Sequence, residues 1–185
     1  MRFLGMFMAA ALLLWMKNIA ELLYDLYILL HKPFCVHIWN KRFALGVPHF
    51  VIGYDWQTRK VKIELSSGTE EQSLHLERDD DGRWWNGDSE LTAFAGMNDI
   101  DLGITPSTNT LPIQRLGLKP GESASMTAVW IQFPSLTIAP LAQQYTRTGE
   151  YAYRYESNDG AYQADLEVDE HGLVTRYADV WSRAR

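Results

Sequence analysis

The stretch Asp99-Ile-Asp-Leu-Gly-Ile-Thr-Pro-Ser-Thr-Asn-Thr-Leu-Pro-Ile-Gln-Arg-Leu-Gly-Leu118 decides how this chain is read. Ile100, Leu102 and Ile104 alternate with Asp99 and Asp101, the period-two signature of a strand. Pro106 ends the pattern, because it has no N–H to give to a ladder. A Ser-Thr-Asn-Thr cluster then turns the chain, since these side chains bond their own backbone. The chain re-enters an apolar stretch at Leu111.

The same period extends outward. Val61, Ile63 and Leu65 alternate with Lys60, Lys62 and Glu64, and Leu74 and Leu76 with Ser73, His75 and Glu77. Asp79-Asp-Asp-Gly82 signals a turn, and Asn86-Gly87 is a strong hairpin dipeptide. Downstream, Pro120-Gly121 precedes a long strand over 125–133, with Met126, Ala128 and Trp130 opposite Val129, Ile131 and Phe133. Tyr151, Tyr153 and Tyr155 share a face, and Asn158-Asp-Gly160 turns the chain into Tyr162, Ala164, Leu166 and Val168. The body therefore reads as mostly β, an antiparallel meander of about eight to ten short strands forming a barrel or half-barrel. No helix is required after residue 50.

Charge is uneven. Residues 1–51 hold five Lys/Arg against two Asp/Glu, and residues 52–185 hold twelve against twenty-one, giving +3 and −9 within the net −6. An acidic body repels nucleic acid at long range, so no nucleic-acid partner is expected. A neutral amphiphile or a sugar remains compatible. The one cysteine, Cys35, cannot form an intramolecular disulfide, which fits a reducing compartment.

The first segment, 1–51, differs in kind from the body, 52–185. Residues 3–16 are an apolar run that as a helix spans about 21 Å, short of the roughly 30 Å of a bilayer core. Beyond it, Lys17, Glu21 and Asp25 fall on one face of an amphipathic helix reaching residue 30. Three readings stay open: a secretory signal, a membrane anchor or interfacial helix, and a plug or non-native start without a membrane role. Asn18-Ile-Ala20 makes a poor cleavage site for the first. Lys32, Lys41 and Arg42 follow the helix, so an anchor would keep the body on the cytoplasmic side. Without an anchor, the expected location is the cytoplasm. His31, Cys35 and His37 cluster, but Pro33 interrupts a helix there and no fourth ligand is near, so no metal is expected.

Three features of the body offer a site. Tyrosine gives an apolar ring with a polar tip, and the stripe Tyr151, Tyr153 and Tyr155, with Tyr145 and Tyr162 near it in the meander, is placed to meet an amphiphile. Alternate positions put the Asp99 and Asp101 carboxylates on one face about 6.5–7 Å apart, where they could hold sugar hydroxyls or perform acid–base glycosidase chemistry. Arg115, Arg147 and Arg154 are their candidate partners. Thr105, Asn109 and Thr110 could present hydroxyls and an amide to a polar head group, or simply fix the turn. Gly-x-Ser-x-Gly, a phosphate-binding glycine loop and zinc spacing do not occur, so the sequence implies no cofactor.

Asp99–Leu118 resembles the signature of a bacterial family called putative glycolipid-binding proteins, roughly Asp-x-Asp-Leu-x-x-Thr-Pro-x-Thr-Asn-Thr-Leu-Pro-Ile-Arg-Arg-Leu. Gln144-Tyr-Thr-Arg147, Tyr151-Ala-Tyr-Arg-Tyr-Glu156 and Ala164-Asp-Leu-Glu-Val168 resemble its closing strands. The likeness spans about residues 52–183. Asp99, Asp101, Thr105, Pro106, Thr108, Asn109, Thr110, Leu111, Pro112, Arg115, Tyr145, Arg147, Tyr153 and Tyr155 fit the pattern. Ser107 and Gln114 stand where the family often has Phe and Arg. The resemblance implies an all-β barrel, shaped like the half-barrels of bacterial lipoprotein carriers, with an apolar cavity. The function expected from it is binding of an amphiphile such as a glycolipid. The competing classes are a glycoside-processing enzyme using Asp99 and Asp101, and a truncated structural domain without ligand. Oligomeric state is left open, as is membrane contact through residues 3–30.

Overall fold

The computed structural model describes residues 34–35, 39–40, 43–45, 49–67 and 70–183. The apolar and amphipathic segment 3–30, with its expected helix and membrane contact, lies outside the described residues, as do His31 and His37. Among the described residues, no helix is long and apolar enough to cross a membrane.

The described strands form two sheets. The first contains β1 (Phe34–Cys35), β2 (Trp39–Asn40), β3 (Phe43–Leu45), β4 (His49–Ile52), β5 (Thr58–Ser67), β6 (Glu70–Arg78), β7 (Trp84–Asn86) and β8 (Ser89–Glu90). Its order is β1-β4-β5-β6-β7-β8, with the β2–β3 ribbon joined through β3 to β5. The long β5–β6 hairpin is the alternating stretch read from sequence: Val61, Ile63, Leu65, Leu74 and Leu76 are buried while Lys60, Lys62, Glu64 and Glu77 face out. Strands before residue 52 were not expected. Each is two to four residues long, too short to show a period, and is defined by pairing with its neighbours.

The second sheet is a curled half-barrel. Its strands are β9 (Ile100–Leu102), β10 (Ser123–Ile131), β11 (Ile138–Arg147), β12 (Ala152–Ser157), β13 (Tyr162–Val168), β14 (Val174–Tyr177) and β15 (Trp181–Ser182), hydrogen-bonded in the order β15-β14-β13-β12-β11-β10-β9. From β10 to β15 it is the expected antiparallel meander. The β9–β10 pair is parallel, because a crossover intervenes.

That crossover contains helix, which the sequence did not require. Pro106–Asn109 is a 3-10 turn and Thr110–Leu116 is helix α1. Thr105 Oγ1 accepts from the Ser107 N–H at 3.3 Å, capping the start. Pro112 sits in the first helical turn, where a missing N–H leaves no intrahelical bond unmade. Gly117, at φ 55°, ends the helix in the left-handed region that glycine adopts without strain. Seven residues are too few to display a 3.6-residue period.

Two apolar cores flank β9 and β10. Ile100, Leu102, Val129 and Ile131 pack with the first sheet through Ile63, Leu76 and Trp84. On the concave face of the half-barrel, Ile113 and Leu118 from the α1 region pack against Tyr145, Tyr153, Leu166 and Val174. Helix α1 thus fills one end of that concave face.

Candidate functional site

The other end of the concave face is open. A cavity of about 500 Å³ lies there, within the range of ligand pockets. Strand register explains its walls. Trp130 is the Cα partner of Asp101, Tyr155 of Tyr145, and Ser157 of both Gln143 and Tyr162, so these side chains emerge on one face. The apolar lining comes from Leu102, Ile104, Leu141, Val180 and the rings of Trp130, Tyr155, Tyr162, Tyr177 and Trp181. Asp101, Thr105, Asn109, Ser157 and Asn158 supply polar groups.

A directed hydrogen-bond chain supports the polar wall. Asn109 Nδ2 donates to Tyr145 Oη at 2.7 Å, and Tyr145 Oη donates to Gln143 Oε1 at 3.4 Å. Gln143 Nε2 then donates to Asp101 Oδ2 at 2.6 Å, and Tyr155 Oη reaches the same oxygen at 3.4 Å. Bonds aligned in one direction polarise one another. Burial pushes the Asp101 carboxyl up to about 6, with the bonds from Gln143 and Tyr155 pulling it back down. Burial raises Tyr155, Tyr145 and Tyr177 as well, so all three stay neutral phenols.

Asp99 belongs to a different environment. It is 1% exposed and held by Arg115, whose Nη2 approaches Oδ2 at 2.5 Å and whose Nε lies at 3.1 and 3.3 Å. Burial pushes its carboxyl up, against the hydrogen bonds and charge of Arg115.

Of the residues singled out in sequence, Asp101, Thr105, Asn109, Tyr155 and Tyr162 line the cavity, whereas Tyr151 is exposed and is not among the residues lining it. Tyr145 stands behind it in the hydrogen-bond chain. Arg115 closes on Asp99, and Tyr153 is buried in the core beside α1. Arg147 donates to the backbone carbonyls of Leu118, Gly149 and Glu150 and lies over the Tyr153 ring, so it fixes loops. Arg154 pairs with Asp165 on the outer face. Thr110 is buried, and its Oγ1 meets no partner among the described residues.

The family described as "putative glycolipid-binding" matches residues 49–183. The chain belongs to that family. A crystal structure of a DUF1089 family protein from Pseudomonas aeruginosa is similar, with 38% identity over 77% of this chain and 78% of that one, at a TM-score of 0.73. No curated protein matches the chain. At the two positions where its signature departs from the family's usual pattern, Gln114 Nε2 donates to the His171 carbonyl, tying α1 to the β13–β14 turn. The Ser107 hydroxyl is buried without a partner among the described residues.

Sequence reasoning placed Tyr162 near the tyrosine stripe but missed Gln143, Trp130, Tyr177 and Trp181 as parts of the same site. Gln143 carried a usable signal: it is a polar residue at an inward position between Leu141 and Tyr145. The others signal nothing singly, because tyrosine and tryptophan are common in any strand.

Proposed function

We propose that this protein binds an amphiphile, a glycolipid in the simplest case, in the cavity of the half-barrel. The observation that carries the reading is the cavity's division of labour. Tryptophan and tyrosine rings with aliphatic side chains offer an apolar wall, while Asp101, Thr105 and Asn109 converge as hydrogen-bonding groups. Few precisely placed polar groups in an apolar concavity fix a ligand's orientation. A sugar head group with an attached chain has the matching two-part chemistry. The family description points the same way.

The glycosidase reading fits less well. It needs two carboxyls facing one substrate. Asp101 faces the cavity, whereas Asp99 is committed to Arg115.

Native mass spectrometry of the full chain, released gently from its host, tests the proposal, with lipid extraction of the same sample. The expected result is a discrete added mass whose extract is an amphiphile. A folded chain that runs at its bare mass, and stays bare after incubation with n-octyl β-D-glucoside, would overturn it.

A further inference from the structure

Among the described residues, Asp101 is held by neutral partners alone. Gln143 Nε2 and Tyr155 Oη both address Oδ2, leaving Oδ1 without a donor among the described residues. No Lys, Arg or His is among the described residues lining the cavity. Asp99, two residues earlier, has its guanidinium; among the described residues, Asp101 has none. An entering head group therefore meets an acid whose described neighbours supply no countercharge.

Two consequences follow from elementary electrostatics. A phosphate, sulfate or carboxylate would be brought beside a like charge in a partly dry site, where repulsion at contact distance exceeds a factor of ten in affinity. A hydroxyl pair instead donates to the carboxylate without desolvating a second charge. A quaternary ammonium is the remaining candidate, and the rings argue against it. Tyr155, Tyr162 and Tyr177 have centroids 6.1, 6.2 and 6.5 Å apart, so they pack on one another as a wall and leave no cage between them.

We infer that the cavity takes amphiphiles with an uncharged, hydroxyl-bearing head group and turns away anionic ones, and that Asp101 is the residue that sets this choice. The inference rests on the cavity reading proposed above. Of the other titratable groups near Asp101, Tyr145, Tyr155 and Tyr177 are pushed upward and stay neutral, while Asp99, also pushed up by burial, is paired with Arg115 and is not among the residues lining the cavity.

The experiment is calorimetric titration of the full chain with n-octyl β-D-glucoside, n-octyl sulfate and octyltrimethylammonium, below micelle formation, with circular dichroism confirming the fold. At pH 8 the glucoside should bind at least about tenfold tighter than the sulfate. In Asp101→Asn, sulfate binding should strengthen and glucoside binding weaken, closing the gap to within about threefold. If that variant does not fold, the wild type at pH 5 gives the same narrowing, because the acid is then protonated. Sulfate or the ammonium binding as tightly as the glucoside overturns the inference while the cavity reading stands. A preference unchanged by both Asp101→Asn and pH also overturns it. Failure of all three probes to bind overturns the cavity reading itself.

Discussion

Asp99 and Asp101 lie two residues apart at the same edge of the half-barrel, yet one is sealed and the other is open. Asp99 meets Arg115 within 2.5 Å and is closed off by α1 and the strands beside it. Among the described residues, Asp101 meets only an amide and a phenol, and it lines the cavity. A buried charge with its own countercharge is part of the scaffold. A buried charge without one is costly to keep unless a ligand uses it. The difference separates the region that holds the barrel's corner from the region available to bind.

The largest effect should come from breaking the sealed corner. Arg115→Ala strands a carboxylate that is 1% exposed, and should cost about 3–5 kcal/mol in urea unfolding. Replacing both partners, as Asp99→Leu with Arg115→Leu, should recover most of that loss, because no charge is then stranded. If Arg115→Ala costs no more than a surface change, Asp99 is not the structural member of the pair.

The open carboxyl should respond to pH instead. An unfolded Asp titrates at about 3.9, and the folded Asp101 at about 6. The folded state holds this proton more tightly, so the group's stabilising contribution is complete below about pH 4 and is lost as pH rises through about 6. Asp101→Asn should therefore gain on the order of 2–3 kcal/mol over wild type at pH 7.5 and close to nothing at pH 4. Unfolding free energies at the two pH values measure it. An equal difference at both would mean that Asp101 is solvated like an ordinary surface acid.

Tyr145 stands behind the open region, where its hydroxyl accepts from Asn109 and donates to Gln143. Tyr145→Phe leaves the Asn109 amide and the Gln143 carbonyl unpaired inside the protein. The expected cost is about 1–2 kcal/mol, with weakened glucoside binding because Gln143 no longer holds Asp101 in place. Equilibrium unfolding and titration on one preparation read both. Unchanged binding beside lost stability would assign the chain of hydrogen bonds to the scaffold alone.

How much of this could be read from residues alone follows the same division. The alternation of Val61, Ile63 and Leu65, and of Leu74 and Leu76, exposes the strands, because a period of two needs only a few residues to show. The crossover does not show. In α1, Pro112 and a length of seven residues mask the helical period, and tertiary packing of Leu111 and Ile113 decides the conformation. Equal spacing made Asp99 and Asp101 look equivalent. Their difference depends on Arg115 and Gln143, which lie 16 and 42 positions away and which no local pattern connects to them. The cavity's rings come from β10, β12, β13, β14 and β15, so only the folded sheet assembles them.

The smallest expected change in stability, with the clearest change in binding, is at the cavity rim. Trp181 is 37% exposed on β15, which pairs only with β14 among the described strands, yet its ring lines the cavity. Little of the core depends on it, so Trp181→Ala should shift the unfolding free energy by no more than about 0.5 kcal/mol. A ligand chain laid against the ring loses that contact, and binding of n-octyl β-D-glucoside should weaken about fivefold, equivalent to about 1 kcal/mol. Thermal unfolding and calorimetry on the same variant separate the two. A large loss of stability with binding intact would make the rim part of the core. The open region would then be no more than an unfilled end of the same scaffold that seals Asp99.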